Sequence, residues 1–162
     1  MTTKADFTAD EWAQIISAPV YAGMGIIAAD PAITSMFKES AALAKAMLQN
    51  PVPEGGQELI GSIVAEMQSK ADNKDKLEEP QFESKDPQAV MQQIYDYLSA
   101  TIATLSGKAT AAEITAYKEW LLSVAQSVAE SGKEGGFLGI GAVRVSDKEE
   151  TVLANYRKTL GL

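Results

Sequence analysis

Residues 110–132, TAAEITAYKEWLLSVAQSVAESG, decide the fold class. Thr110 and Glu113 are spaced as a capping box, in which the hydroxyl accepts from the amide three residues on and the carboxylate reaches back. Ile114, Tyr117, Leu121, Val124 and Val128 then recur at the spacing of one helical face. Gly132 stands where helices commonly end in a left-handed glycine. The stretch predicts a helix over 111–131. Trp120 and Leu122 lie off that face, and a helix apolar on several sides belongs at the centre of a bundle.

The same grammar extends in both directions. Thr8 with Glu11, and Ser146 with Glu149, form two further capping boxes ahead of apolar series. Asp30-Pro31 and Asp86-Pro87 place an N-cap aspartate before a proline at the first helical position, where a missing N–H costs nothing. These signals predict helices over 9–28, 31–48, 87–105 and 147–160, and the spacing of Leu59, Ile60, Ile63, Val64 and Met67 predicts another over 57–71. In the first, Pro19 is expected to kink the helix. Ala18, Ala22, Gly25 and Ala29 make a small-residue face that lets a second helix approach closely. Only AVRV, residues 142–145, reads as a strand, and it has no mate. The fold class is therefore all-α, a single-domain bundle of about six helices over residues 1–162. The polar run 72–86, DNKDKLEEPQFESKD, is expected to be a charged surface loop.

Composition then excludes whole classes of chemistry. A chain of 162 residues buries roughly 70% of its extended surface and needs no metal or disulfide to fold. It contains no histidine and no cysteine, which removes Ser-His-Asp and Cys-His nucleophile pairs, the usual zinc sites and iron–sulfur clusters. Carboxylates, lysine and tyrosine remain as acids and bases, and oxygen ligands remain for Ca²⁺ or Mg²⁺. The net charge of −8, with fourteen scattered Lys and Arg, argues against a nucleic-acid partner. The opening MTTKADFTADEW has acids and no apolar core, so a cytoplasmic location is expected. Residues 15–29 carry no charge but are short and glycine-broken, which predicts a buried helix and no transmembrane segment. Trp12, Tyr95, Tyr97, Tyr117, Trp120 and Tyr156 fall at core or core-edge helical positions, as packing residues.

The segment 132–145, GKEGGFLGIGAVRV, sets five glycines among Phe137, Leu138, Ile140 and Val143. Four readings are open. A phosphate cradle lacks the preceding strand and the required glycine spacing. A membrane-inserting loop is far shorter than the ~20 residues of a span. A connector would plug the core with its apolar residues. An interaction loop would expose Phe137, Leu138, Ile140 and Val143 to another subunit or protein. Among the acids, Asp72, Asp75, Glu78 and Glu79 lack calcium-loop spacing, and Asp6, Asp10 and Glu11 suit the dipole at a helix start.

The final third is a long helix with Trp120, then EGGFLGIGAVRVSDKE, then a short helix ending LGL. It resembles an uncharacterised bacterial family of helical proteins, itself distantly similar to the tellurite-resistance TerB-like proteins. That resemblance implies a helical bundle and, from an acidic Asp-Gly-x-[Ile/Val]-x-x-x-Glu element occurring twice, a divalent cation. Ala29-Asp30-Pro31-Ala32-Ile33 resembles the first copy, with Pro31 in place of glycine and no glutamate at the expected place. Val145-Ser146-x-x-Glu149 resembles the end of the second, with Ala142 and Val143 where Asp-Gly would stand. The metal ligands so implied are Asp30 and Glu149.

Three functions follow as expectations. The first is a non-catalytic binding or self-association module, with a protein partner or a homo-oligomer and no cofactor. The second is a TerB-like stress-response protein holding Ca²⁺ or Mg²⁺. The third is a carboxylate-based enzyme with an apolar pocket.

Overall fold

The computed structural model describes residues 1–29, 36–73, 80–131 and 145–162, and only the backbone of residues 36–42. Among the described residues six α-helices run in order: α1 Ala9–Ala29, α2 Met36–Gln49, α3 Gln57–Asp72, α4 Pro87–Ser106, α5 Ala111–Ser131 and α6 Asp147–Leu160. No strand occurs among the described residues. The chain is all-α, as its periodicity predicts. Residues 30–35, 74–79 and 132–144 lie outside the described set; with them lie Asp30-Pro31 and all of AVRV except Val145.

Each predicted start that is described is made by the residues that signalled it. The Thr8 amide donates to Glu11 Oε2 at 2.7 Å and the Glu11 amide to Thr8 Oγ1 at 3.3 Å. Ser146 and Glu149 repeat the pattern at 2.7 and 3.4 Å. Asp86 accepts from the Ala89 amide at 3.0 Å, with Pro87 opening α4. Gly161 closes α6 at φ +68°, a left-handed turn in which a side chain is strained.

Two helices form the centre. α5 packs on every other helix, and α1 packs on α2, α4, α5 and α6. α1 is the one described helix long and apolar enough to cross a membrane; 61% of its apolar window is buried inside the protein. Its small-residue face does what its spacing predicts. Ala18, Ala22 and Gly25 are buried, and a Cβ at Gly25 would collide with Tyr156 Oη from α6. The core joins helices from both sides of residues 74–79: Ile15 and Ile26 of α1, Leu59 and Ile63 of α3, Leu98 of α4, Trp120 and Val124 of α5, and Tyr156 of α6.

Candidate functional site

The residues with usable chemistry fall into two groups, one inside the bundle and one on its α5–α6 side. The inside group begins at Pro19. α1 runs unbroken through it, but proline has no N–H to give the carbonyl four residues earlier. That carbonyl belongs to Ile15, and the Tyr117 hydroxyl of α5 donates to it at 2.6 Å. Tyr156 of α6 donates to the Ala22 carbonyl at 2.8 Å, and Tyr97 of α4 to the Gln14 carbonyl at 3.2 Å. Three phenols from three helices thus fasten α1. Burial pushes the Tyr117 and Tyr156 hydroxyls well above the usual phenol range, with a neighbouring tyrosine adding in each case. They are fixed donors, unsuited to proton exchange near neutral pH.

The carboxylates are tied as firmly. Glu113 caps α5 through the Thr110 amide and hydroxyl, at 2.9 and 2.8 Å, and also reaches the distant N-terminal segment. There it accepts from the Thr2 amide at 2.6 Å and the Thr2 hydroxyl at 2.8 Å. Burial pushes its pKa up, but the four donors outweigh it and hold the group at about 2. Glu66 accepts from Lys4 Nζ and Trp12 Nε1, both at 2.8 Å; burial raises its pKa, and these partners bring it below the usual range. Glu11 is lowered chiefly by Lys108, 2.6 Å away, and by the Thr8 amide. A carboxyl serving as general acid near pH 7 needs the opposite shift.

The ligand pair implied by the resemblance is not brought together among the described residues. Glu149 is fully buried, and its Oε2 accepts from the Ser146 amide and hydroxyl at 2.7 and 2.8 Å. Asp30 lies outside the described residues, and no three acidic side chains gather as a metal site among those described. Phe137, Leu138, Ile140 and Val143 also lie outside them. Of that segment only Val145 is described, half-buried at the edge of a groove.

That groove is the second group. It has a volume of about 220 Å³, opens to solvent, and is lined by Gln126 of α5 and by Val145, Glu150, Leu153, Ala154 and Arg157 beside or on α6. Leu153 is buried at its floor, while Glu150, Ala154 and Arg157 are exposed. Among the described residues, neither Glu150 nor Arg157 forms an ion pair. Sequence reasoning missed this pair. The only available signal was the interval of seven residues, which puts opposite charges on one helical face.

In class, then, the molecule is a helical bundle whose Tyr117, Tyr156 and Glu113 side chains bond within it, whose Trp120 indole N–H is buried without a partner, and whose α5–α6 side carries an open, charge-rimmed groove. No protein-family model, no curated protein and no solved structure matches the chain.

Proposed function

We propose that the chain is a non-catalytic association module, and that its α5–α6 side meets a second copy of itself or a protein partner. The observation that supports this reading is the direction of its shifted ionisations. Glu11, Glu66 and Glu113 move down through their hydrogen-bond and ionic partners, and Tyr117 and Tyr156 move up through burial, all away from neutrality. Active sites are where such groups are tuned toward the working pH. What the bundle leaves unengaged is the groove side, and the segment ending there carries Phe137, Leu138, Ile140 and Val143.

Sedimentation of the wild type beside Phe137→Ser and Ile140→Ser tests the reading. A species larger than the monomer is expected for the wild type, with the polar variants shifted toward the monomer. One monomer mass for all three, with no partner retained, overturns it. The divalent-cation rival, implied by the TerB-like resemblance through Asp30 and Glu149, is separated by melting the protein with and without millimolar Ca²⁺ or Mg²⁺. A ligand held only by the native state raises the midpoint. An unchanged midpoint is expected, and a raised one favours the rival.

A further inference from the structure

Residues 2–7 lie ahead of α1 and reach α5, α3 and α1 in turn. Thr2 is buried and gives its amide and hydroxyl to Glu113 of α5, at 2.6 and 2.8 Å. Lys4 reaches Glu66 of α3 at 2.8 Å. Phe7 is buried against Trp12 of α1, with ring centroids 5.9 Å apart, and the Lys108 ammonium lies 5.5 Å from the Phe7 centroid. Between these moorings the segment closes on itself. A 3-10 turn spans Lys4–Asp6; the Asp6 amide donates to the Thr3 carbonyl at 3.0 Å and the Thr3 amide to Asp6 Oδ2 at 2.8 Å.

Each charged partner of the segment also holds a bond that does not involve it. Glu113 keeps the Thr110 amide and hydroxyl, Glu66 keeps the Trp12 indole, and Lys108 keeps Glu11. α1 starts on its own capping box at Thr8 and Glu11, and α5 on Thr110 and Glu113. Lifting the segment therefore undoes neither helix start, and it opens to water the carboxylate oxygen that the Thr2 amide leaves. A segment is bound into the cooperative core when its departure orphans buried polar groups; this one can leave without doing so.

We propose that residues 2–7 are a strap that lifts and seats as one unit, joined to α1 at Thr8, and that lifting it bares Phe7 and the Trp12 ring while α1 and α5 keep their starts. Thr2 at one end and Phe7 at the other hold it closed, and the turn between them makes the two ends move together. The strap is thus a conformational device that exposes buried apolar side chains without unfolding the bundle. Its motion does not depend on what the α5–α6 side meets.

The test is native-state amide hydrogen exchange at pH 7 in low concentrations of urea. The Thr3, Asp6 and Phe7 amides report on the strap, and the Leu121 amide within α5 reports on the whole bundle. In the wild type the strap amides are expected to be protected, yet to exchange about 100-fold or more faster than Leu121 and with little dependence on urea, as local openings do. Thr2→Asp sets a carboxylate against Glu113 and loosens one end. It is expected to speed all three strap amides about tenfold together and to leave Leu121 unchanged. Phe7→Ala loosens the other end, and the Thr3 and Asp6 amides should speed up by a similar factor.

Strap amides that exchange at the Leu121 rate and with its urea dependence overturn the proposal, since the segment then opens only with the core. Strap amides without protection in the wild type overturn it too, because nothing is then closed. So does a response confined to the end that was altered, or a Thr2→Asp protein whose Leu121 protection collapses along with the strap.

Discussion

The two sides of α5 treat polar groups in opposite ways. Toward α1, Tyr117 answers the one carbonyl that Pro19 leaves without a helical donor, and at the start of α5 Glu113 holds four donors, two from the neighbouring Thr110 and two from the distant Thr2. Toward α6 and solvent, Gln126 overlooks a groove rimmed by Glu150 and Arg157, whose charges form no ion pair among the described residues. On the inner side the Tyr117 hydroxyl and the Glu113 carboxylate are matched within one chain, while the Trp120 indole N–H is buried without a partner; on the outer side the charges stand in solvent. Buried polar groups must be matched at folding because an orphan costs about 1–3 kcal/mol, whereas exposed charges remain solvated until a partner arrives. Substitutions on the inner side should therefore change stability, and those on the outer side association.

The largest stability effect is expected at Glu113. Its carboxyl titrates at about 2 in the folded protein, against 4.5 in its absence. A depressed carboxylate stabilises the fold fully above the unfolded value, and the contribution is lost as pH falls through the folded one. At 1.36 kcal/mol per unit the gain at neutral pH is about 3 kcal/mol. Glu113→Gln should lose about that much at pH 7 in urea unfolding, with the gap to wild type closing between pH 4.5 and pH 2. A gap that stays constant over that window would show that the carboxylate's charge is immaterial.

Next comes Tyr117→Phe, which leaves the Ile15 carbonyl buried without a donor and should cost about 2 kcal/mol. Pro19→Ala supplies the missing N–H from within α1, so the combined variant should recover part of that loss. Double-mutant coupling of about 1 kcal/mol would mark the pair as one unit, and strict additivity would break the link drawn between them. Tyr97→Phe should cost less, because Tyr97 is only half-buried and its bond to the Gln14 carbonyl is longer, at 3.2 Å.

How much of this was legible beforehand follows from distance along the chain. The capping boxes at Thr8, Thr110 and Ser146 are three-residue events, and each forms as its spacing predicts. So do the ends at Gly107 and Gly161, and the buried series of α3, α5 and α6. Glu113 was visible as a cap but not as the anchor of Thr2, because that contact joins residues 111 positions apart. Pro19 predicts a kink and also an orphan carbonyl at Ile15, although nothing local names Tyr117, 102 positions away, as its donor. Tyr156 beside Gly25 was half legible, since the small-residue face announced a close approach but not which helix makes it. The readings for Asp30 and for Phe137, Leu138, Ile140 and Val143 lie outside the described residues.

A smaller effect is expected on the outer side. Glu150→Gln should leave monomer stability within about 1 kcal/mol, the size of one exposed first-turn acid's interaction with the helix dipole, while it changes self-association. A large loss of monomer stability instead would place Glu150 among the groups the bundle needs and erase the contrast between the two sides of α5.

The smallest effect is expected at Lys4, a control for the claim that solvated charges contribute little to folding. Its side chain is 61% exposed, and its ammonium lies 2.8 Å from Glu66 Oε2, an oxygen that also accepts from Trp12 Nε1 at 2.8 Å. An exposed pair of this kind contributes about 0–1 kcal/mol, and salt screens it further. Lys4→Met should therefore cost no more than about 0.5 kcal/mol at moderate salt, with the difference shrinking as salt is added. Trp12→Phe is the sharper partner experiment, because Trp12 is buried and its ring packs on Phe7. That substitution removes the indole donor and buried ring area together, and should cost more than Lys4→Met at every salt concentration. Should the two costs prove equal, and both vanish at high salt, the surface charge would be holding the N-terminal segment. Burial would then not be the property that separates groups serving the fold from groups left for a partner.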